Sequence, residues 1–348
     1  MTKFSLLENI SPQVYEKWLL SLPNAPFLQS KNMRHLHQSL GDQAFLFGFQ
    51  KEQELIGLAF AVLVKARRGH YLYLPYGPVF KRGGWQYLPE FTSCLRQKGL
   101  ALKADFLRIS PFLVNHPQNQ ELLKNCGWQK APIHMLAEHL WLLDISISEE
   151  QIWKGMRKTM RNLIHRAQRD GVKIIISQDL KEVEHLVRVH KDTVKQHKFV
   201  PYGDDYFRAQ FKAFAPDKQV AMFLAQYQNK IIAACMIMFY GGMASYHHSG
   251  ALNAYRKIPA SYLLQWEAIR EAKRRKCLTY NFWGIVPPAK LYSPYLKRPH
   301  PFNGVTKFKT GFGGSRLDLI HCQDYPLSWK YNFNYLVETV RRIKRGFY

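Results

Sequence analysis

The sequence predicts an α/β protein with mixed sheets, built from two similar halves. Strand-like and helix-like segments alternate along all 348 residues, a length that suits two domains better than one core. The segment 54–59 (ELIGLA) matches 230–235 (KIIAAC), an offset of 176 residues. In each half a strand, a helix of about fifteen residues, a short strand and a glycine-aromatic turn follow. A repeat of strand, hairpin, helix and strand predicts a mixed sheet with helices on its faces.

The first predicted domain, residues 1–148, begins with a helix at 11–21, where apolar residues recur at helical spacing, and with a turn and then a second helix within 26–41. Apolar runs bounded by polar turns predict strands at 44–50, 54–65 and 70–74. The third strand ends at Pro75-Tyr76-Gly77-Pro78, which cannot continue a ladder of backbone hydrogen bonds. The half is completed by further elements in this order: a helix at 86–98, a strand at 106–109, a helix at 118–125 and a strand at 140–144.

The second predicted domain, residues 149–335, opens with a strongly basic helix over 149–170 at the junction of the halves. Apolar periodicity predicts further helices at 180–197, 203–214 and 259–275. Strands are predicted at 172–177, 220–227, 230–240, 243–249, 278–283 and 305–309. Residues 290–301 form a predicted loop rich in proline and aromatics, and 336–348 form a basic C-terminal helix.

The stretch 307–314, KFKTGFGG, pairs Phe308 with Lys309 and then supplies three glycines. We interpret it as a strand that leads into a tight turn, since glycine tolerates positive φ and close approach of another backbone. A lysine on such a strand can face a cleft and stabilise an oxyanion or a phosphate. The alternative is a solvated lysine on a hairpin strand.

The charge is strongly positive, with 50 Lys+Arg against 25 Asp+Glu and a net charge of +25. Such an excess predicts attraction to RNA, to phosphorylated substrates or to an anionic membrane face. Helical geometry places Arg157, Lys158, Arg161 and His165 on one face of the basic helix. This face is a candidate site for phosphate groups, and a merely solvated basic face is the alternative.

Cysteines and histidines predict neither a disulfide framework nor a metal site. The five cysteines are odd in number and widely spaced, which fits a reducing cytosol. His247 and His248 are neighbours in a predicted strand, so their rings are expected on opposite faces. No signal-peptide pattern and no bilayer-length apolar run occurs. We therefore expect a cytoplasmic protein, and peripheral contact with the inner membrane face stays an open alternative.

Several segments together resemble a known family. They are FLQS near the start, YGPV, RKTMRNLIHRAQRDGV, SGALNAY, WEAIREAKRRKCLTYNFWGI and KFKTGFGG. In this order they resemble the FemABX aminoacyltransferases of peptidoglycan synthesis. The resemblance implies tandem GNAT-like domains, aminoacyl-tRNA as donor and no cofactor. The implied acceptor is an amino group on the stem peptide of a UDP-linked or lipid-linked peptidoglycan precursor.

The resemblance also implies roles for individual residues. Lys309 would stabilise the tetrahedral intermediate or the departing tRNA end, with Phe308 beside it. The positions implied for precursor binding are Arg34, His37, Ser110, Tyr202, Tyr206 and His248. This chain departs from the family pattern at Tyr202, near which some members have a phosphate-binding arginine, and at His248, where some have tyrosine.

Other functions remain open from the residues alone. An acyl-CoA-dependent N-acyltransferase on the same fold would cradle pyrophosphate with a [RQ]xxGx[GA] turn at a helix start. The equivalent stretch, 256–261, reads RKIPAS, has no glycine, and contains Pro259, which has no N–H. Aminoacyl transfer onto protein N-termini uses a similar fold. A non-catalytic RNA or membrane-surface binder would also explain the charge.

Overall fold

The computed structural model describes residues 3–66, 69–197, 202–287 and 300–345. These residues form two compact units. The first comprises the described residues up to Glu138, together with His300 and those from Asp318 onward. The second comprises His139–Pro287 and Pro301–Leu317.

The strands of the described ranges, in chain order, are β1 (Phe4–Leu7), β2 (Gln43–Lys51), β3 (Glu54–Ala66), β4 (Gly69–Pro75), β5 (Val79–Phe80), β6 (Phe106–Ser110), β7 (Gln129–Lys130), β8 (His139–Asp144), β9 (Lys173–Ser177), β10 (Val220–Tyr227), β11 (Lys230–Tyr240), β12 (Met243–Ala251), β13 (Thr279–Gly284), β14 (Ser315–Asp318) and β15 (Gln323–Pro326). The α-helices are α1 (Pro12–Leu20), α2 (Lys31–Ser39), α3 (Leu88–Ala101), α4 (Pro117–Asn125), α5 (Glu149–Gly155), α6 (Lys158–Arg169), α7 (Val183–His197), α8 (Asp204–Phe214), α9 (Ala260–Arg274), α10 (Asn303–Thr310) and α11 (Lys330–Arg345).

The first unit is built on a mixed sheet with the order β1-β2-β3-β4-β6-β15-β7, and β5 pairs with β3. Its strands are antiparallel except for β4 and β6, which run parallel from Tyr71↔Phe106 to Pro75↔Ser110. The apolar face of α3, including Phe91 and Leu95, packs on this sheet and forms the centre of the core.

The second unit repeats the plan in the order β14-β8-β13-β12-β11-β10-β9. Again one adjacent pair, β12 and β13, is parallel. Helices α6 and α9 cover the sheet with buried residues such as Ile164 and Ile269. The prediction of an α/β protein with two similar mixed sheets is therefore confirmed.

The repeat is visible residue by residue. The matched segments 54–59 and 230–235 both begin the long central strands β3 and β11. In both units the lysine-containing helix, α4 or α10, is followed by a left-handed glycine, Gly127 (φ 84°) or Gly313 (φ 85°). A short strand follows each, β7 or β14.

One strand of each sheet comes from outside its own half, so the units differ from the predicted boundaries at 148/149 and 335/336. Strand β8, at the end of the first half, lies between β13 and β14 in the second sheet. Strand β15, near the end of the chain, lies between β6 and β7 in the first sheet. Short-range sequence patterns do not specify which sheet a strand joins, because hydrogen bonding to a distant strand decides it.

Two predicted elements differ in the structure. The basic helix expected over 149–170 is broken at Met156 and Arg157, whose ψ values of 148° and 141° are extended. The break is fixed by a hydrogen bond from Arg157 N to Gly311 O (2.9 Å). The strand expected over 305–309 is wrong, since Asn303–Thr310 is helix α10. Buried Thr306 and Lys309 lie three residues apart, which is helical spacing. The predicted loop 290–301 lies outside the described residues up to position 299.

The first unit contains a buried charge network that joins the last helix to the sheet. Arg108 on β6 is fully buried and makes a bidentate pair with Asp324 on β15 (2.7 and 2.8 Å). It also donates to both carboxylate oxygens of Glu338 on α11 (3.1 and 2.7 Å). Tyr331 donates its hydroxyl hydrogen to Asp324 (3.1 Å). Because each charge has an opposite partner, the network can remain ionised inside the protein.

Candidate functional site

Lys309 is a buried lysine of the second unit, with 7% of its surface exposed. Its Nζ donates a hydrogen bond to the carbonyl oxygen of Gly284 at the end of β13 (2.7 Å). Desolvation by burial lowers the pKa of this amine from its ordinary value to about 7. Beside it, Thr306 Oγ1 accepts a hydrogen bond from Val286 N (3.0 Å), which fixes α10 against the chain that follows β13. A lysine with a pKa near neutrality can both stabilise negative charge and transfer a proton.

The glycine turn after α10 lets the chain approach β8 closely. Gly314 has φ 96°, and a Cβ there would lie 2.2 Å from the carbonyl oxygen of Leu142. Gly313 O accepts a hydrogen bond from the indole of Trp141 (2.6 Å). A Cβ at Gly311 would lie 2.6 Å from the sulfur of Met160 on α6. The three glycines predicted from the sequence therefore fix the position of α10, and with it Lys309.

An aromatic cluster connects Lys309 to a cavity in the same unit. Phe308 packs edge-to-face on Tyr262 of α9 (5.1 Å between ring centroids) and on Phe312 (5.3 Å). Tyr262 lines a cavity of about 600 Å³ at the N-terminal end of α9. This volume is within the range of small-molecule sites. The cavity is therefore lined by a residue that contacts Phe308, the sequence neighbour of the buried lysine.

The cavity is basic at its mouth and apolar within. Arg166, Arg256 and Lys257 line it with apolar residues of α6, β11 and β12. Arg166 is held in place by its hydrogen bond to Lys257 O (3.2 Å). The helix begins at Ala260, with Pro259 as N-cap residue, so the cap itself contributes no N–H. Cations and a helix N-terminus together favour a negatively charged ligand.

The parallel strands of the second sheet separate near Lys309. Their pairing runs only from Met243↔Thr279 to Ser245↔Asn281. Beyond it, β12 carries the two histidines, and β13 carries Trp283 at a positive φ of 67°. Side chains in the gap between diverging strands can contact a ligand.

The two histidines were expected on opposite faces, and this prediction is wrong. The β11–β12 register shifts between Met236 and Ile237, so that His247 is the extra residue of a bulge. The rings of His247 and His248 consequently lie 4.0 Å apart, and His247 packs on Trp283 (4.8 Å). The two histidines therefore link β12, on one side of the gap, to Trp283 of β13, the residue that precedes Gly284.

Burial keeps both histidines neutral. Desolvation lowers the pKa of His247 to about 3, and it lowers the pKa of His248 well below its ordinary value, with a further contribution from the neighbouring imidazoles. The Nε2 of His248 is 2.9 Å from Gln210 Oε1 on α8. A carbonyl oxygen can only accept, so the hydrogen sits on Nε2 and Nδ1 is left as an acceptor.

The structure brings together three of the predicted precursor-binding residues. Tyr202 stacks on Tyr206 (4.5 Å between ring centroids), and both lie edge-on to His248 (5.4 and 6.1 Å). Phe207 completes the cluster against His248 (4.9 Å). Because Tyr202 is about half exposed, the cluster runs from the buried histidine to the surface.

The predicted phosphate-binding residues lie at the break between α5 and α6. Arg161 donates through Nη1 to the carbonyl oxygens of Lys154 and Met156 (both 3.0 Å) and so caps the C-terminus of α5. Arg157 reaches Thr310 Oγ1 on α10 (3.3 Å). Lys158 is exposed at the first position of α6. Arg161 thus stabilises the local fold, while Arg157 and Lys158 present charge to solvent.

The remaining predicted residues belong to the first unit. Arg34 and His37 lie on α2, where His37 Nδ1 contacts Asp42 Oδ2 (2.8 Å). The Nε of Arg34 is buried and makes no hydrogen bond within the described chain. Ser110 ends β6, where its hydroxyl contacts that of Tyr73 (3.1 Å).

Sequence reasoning missed Gln29, the glutamine of the FLQS segment. Its fully buried amide donates to Phe60 O (3.2 Å) and Pro75 O (2.7 Å), and its oxygen accepts from Phe60 N (2.7 Å). A Cβ at Gly77 would lie 2.6 Å from the same amide nitrogen. The segments FLQS and YGPV, noted separately, therefore form one structure. A glutamine in an otherwise apolar segment was the available signal.

Sequence reasoning also did not single out Tyr262 and Trp283, which lie beside the cavity and the gap between the parallel strands. In the described ranges no group of three His, Cys, Asp or Glu residues could hold a metal ion. None of the described helices is both long enough and apolar enough to cross a membrane.

Comparisons with known proteins agree with this architecture. Residues 154–291 match the model of the acetyltransferase (GNAT) domain family. No curated protein sequence matches the chain.

Solved structures resemble almost the whole chain. The crystal structure of FemX matches with a TM-score of 0.81 at 16% identity, over 96% of this chain and 100% of FemX. The structure of L-PGS from Bacillus licheniformis matches with a TM-score of 0.55 at 13% identity, over 97% and 98% of the two chains. A tandem GNAT protein from the clavulanic acid biosynthesis pathway matches with a TM-score of 0.57 at 11% identity, over 94% and 99%. The chain has a FemABX-like double GNAT fold, as its resemblance implied.

Proposed function

We propose that the protein uses its FemABX-like double GNAT fold as an aminoacyltransferase, moving an amino acid from aminoacyl-tRNA to an amino group of a peptidoglycan precursor stem peptide. The observation that carries this proposal is Lys309, a buried amine on the Gly284 carbonyl next to an aromatic cluster and a basic cavity. The reaction would form part of a cell-wall cross-bridge.

The cavity is the proposed site of the donor's acylated end. Arg166, Arg256 and Lys257 would neutralise phosphates, and Tyr255 and Tyr262 offer rings on which a base can stack. Arg157 and Lys158, exposed at the start of α6, would contact phosphates of the tRNA. The net charge of +25 favours a polyanion over a small anionic cofactor.

Chemically, an aminoacyl ester is already activated, so the enzyme needs alignment and charge stabilisation and no protein nucleophile. The acceptor nitrogen attacks the ester carbonyl, the C–N bond forms, and the bond to the ribose oxygen breaks. The ammonium of Lys309 would stabilise the oxyanion and donate a proton to the departing oxygen, a role suited by its pKa of about 7.

The acceptor would enter along the cluster of Tyr202, Tyr206 and His248. Its amine must be neutral to attack, and it must lose a proton as the new bond forms. The Nδ1 of neutral His248 would accept a hydrogen bond from that amine and orient it, because Gln210 occupies Nε2, and the proton would pass to solvent. Arg34, His37 and Ser110 of the first unit are likewise proposed as precursor-binding residues.

A second candidate is an N-acyltransferase that uses acyl-CoA. The cavity at the N-terminus of α9, with three cations at its mouth, would also suit a pyrophosphate. Against it stands the stretch from Arg256 to Ser261, which has no glycine and places Pro259 at the N-cap. Fewer backbone N–H groups are then free to bind phosphate.

The experiment incubates the purified protein with a mixed pool of charged tRNAs and a lysine-containing precursor, in UDP-linked and lipid-linked forms. Mass spectrometry then reads the product. A mass increase equal to one amino-acid residue, abolished by deacylating the tRNA beforehand, is the expected result.

Parallel reactions contain acetyl-CoA instead of tRNA, or a peptide with a free N-terminus instead of the precursor. Acetylated product would favour the CoA-dependent function, and aminoacylated peptide would favour transfer to protein N-termini. Steep salt-dependent binding to RNA of any sequence, with no transfer in any reaction, would favour a non-catalytic RNA binder.

A further inference from the structure

The C-terminal helix α11 contacts the first unit along one side only. Tyr331 and Asn334 are buried, and Glu338 bonds to the fully buried Arg108. Arg342 donates through Nη1 to Pro132 O (3.2 Å). At 100° per residue these four side chains of α11 fall within about 80° of one another around the helix axis. The helix is therefore fixed to the protein with a defined side turned outward.

The outward side of α11 is apolar, although it faces solvent. We call it the outer face, and it consists of Phe333, Leu336, Val340 and Ile343, which are 58%, 60%, 42% and 68% exposed. Their directions also span about 80°, centred opposite the docked side. Trp329, one residue before the helix, is 78% exposed. A contiguous apolar strip of this kind marks an interaction surface rather than scattered surface hydrophobics.

Cations border the outer face. Lys330, Arg341 and Lys344 are exposed and lie along one margin of the strip, by helical geometry. The helix has five Lys and Arg residues against one acidic residue, Glu338, and that carboxylate is turned inward onto Arg108. No acidic side chain of α11 therefore offsets the charge of the margin.

We propose that α11 lies flat on an anionic lipid bilayer, with its outer face in the region between headgroups and acyl chains. A helix of 16 residues is about 24 Å long and presents both an apolar strip and cations for anionic headgroups. A tryptophan at the end of such a strip suits the membrane interface. A second copy of this chain would bring two like-charged margins together, so charge complementarity favours the lipid surface. Binding of α11 to such a surface would be the same whichever acyl donor the protein uses.

The test is co-sedimentation of the full chain with vesicles of phosphatidylcholine alone or with about 30 mol% phosphatidylglycerol. We expect binding to the anionic vesicles, weaker binding at high salt, and little binding to the neutral ones. Leu336→Ser combined with Ile343→Ser should weaken binding at least tenfold. Lys330→Gln, Arg341→Gln and Lys344→Gln should each weaken it about fivefold.

The matched control is Val14→Ser combined with Leu278→Ser, since these aliphatic side chains are similarly exposed (54% and 60%) but lie elsewhere. This control should bind like the parent. Unchanged circular dichroism in all variants would exclude misfolding. The proposal is overturned if the parent does not bind anionic vesicles, or if the outer-face variant binds as well as the parent. It is also overturned if sedimentation velocity shows a dimer that the outer-face variant abolishes while lipid binding persists.

Discussion

The equivalent lysines of the two units differ in environment. In the first unit Lys124 lies near the end of α4 and is exposed to solvent. In the second unit Lys309 lies near the end of α10, is buried, and donates to Gly284 O. The helix, the following left-handed glycine and the short strand are common to both units. A shared motif therefore sets the backbone, whereas the packing around it decides whether the lysine is an ordinary surface charge or a buried amine with a lowered pKa.

The pair of parallel strands also differs between the two units. In the first unit β4 and β6 pair over five residues, up to Pro75↔Ser110. In the second unit β12 and β13 pair over three and then separate. Closed pairing leaves no room for a ligand between the strands, and early separation exposes backbone carbonyls such as that of Gly284. The second unit alone combines the gap, the cavity and the buried lysine among the described residues.

Buried charges in the two units also differ in how they are compensated. Burial would lower the pKa of Arg108, but hydrogen bonds and charge attraction from Asp324 and Glu338 outweigh it and raise the pKa. Lys309 has no ion pair with a carboxylate in the described chain, and its pKa falls to about 7. Arg108 is therefore a structural charge that stays protonated, whereas Lys309 can gain or lose its proton near neutral pH.

The largest expected effect comes from Lys309→Met, compared with Lys124→Met. We expect the first change to lower kcat for transfer by about 10²–10³-fold, because the cation proposed to stabilise the oxyanion is lost. The second should leave kcat unchanged. Steady-state kinetics with a saturating precursor measures both, and precursor binding should stay near normal. Full activity of Lys309→Met would refute its assignment, even if the protein proves to be an aminoacyltransferase.

The glycine turns provide the second comparison. In Gly314→Ala a Cβ would overlap the carbonyl of Leu142 at a residue with φ 96°, so we expect a loss of about 3 kcal/mol in the free energy of unfolding. In Gly127→Ala the nearest atom is a ring carbon of Tyr325 at 3.1 Å, and a side chain can move. A loss of about 1 kcal/mol is expected there. Urea unfolding measures both, and equal losses would contradict the argument.

The sequence predicted the repeat, the mixed sheets and the special glycines, because these follow from local periodicity and from backbone conformation. It identified Lys309 and Phe308 as candidate site residues but placed them on a strand, because β-branched Val305 and Thr306 favour strands locally. The break at Arg157 could not be predicted, because it depends on a hydrogen bond to Gly311, more than 150 residues away.

The histidine pair was misplaced for a similar reason. A bulge in β12 moves His247 to the side of His248, and bulges depend on the partner strand rather than on the residues themselves. Arg161 could be predicted as basic, but its contacts to two carbonyl oxygens of α5 and to that of the C-cap residue Met156 arise only because the helix ends at Gly155. Charge alone predicted an anion-binding site on the basic helix. One of its cations, Arg161, instead caps the end of α5.

The smallest expected effect is the pH dependence of stability that Lys309 produces. The pKa of Lys309 is lowered in the folded protein to about 7 from 10.5. Between these values the unfolded chain binds a proton that the folded protein has released, so stability rises with pH by about 1.4 kcal/mol per pH unit. Below pH 7 the Lys309 amine is protonated in both the folded and the unfolded protein. The folded protein then bears the full free-energy cost of burying an ammonium group.

Lys309→Met removes this cost and should therefore be more stable than the parent at low pH. The advantage should shrink by about 2 kcal/mol between pH ~7.5 and ~9, because the parent lysine becomes neutral over that range. Lys124→Met is the matched control, since it removes an exposed lysine from the corresponding helix of the first unit. Urea unfolding at several pH values measures both differences. A constant difference for Lys309→Met would mean that its amine is solvated, and the contrast between the two units would then lie in strand geometry alone.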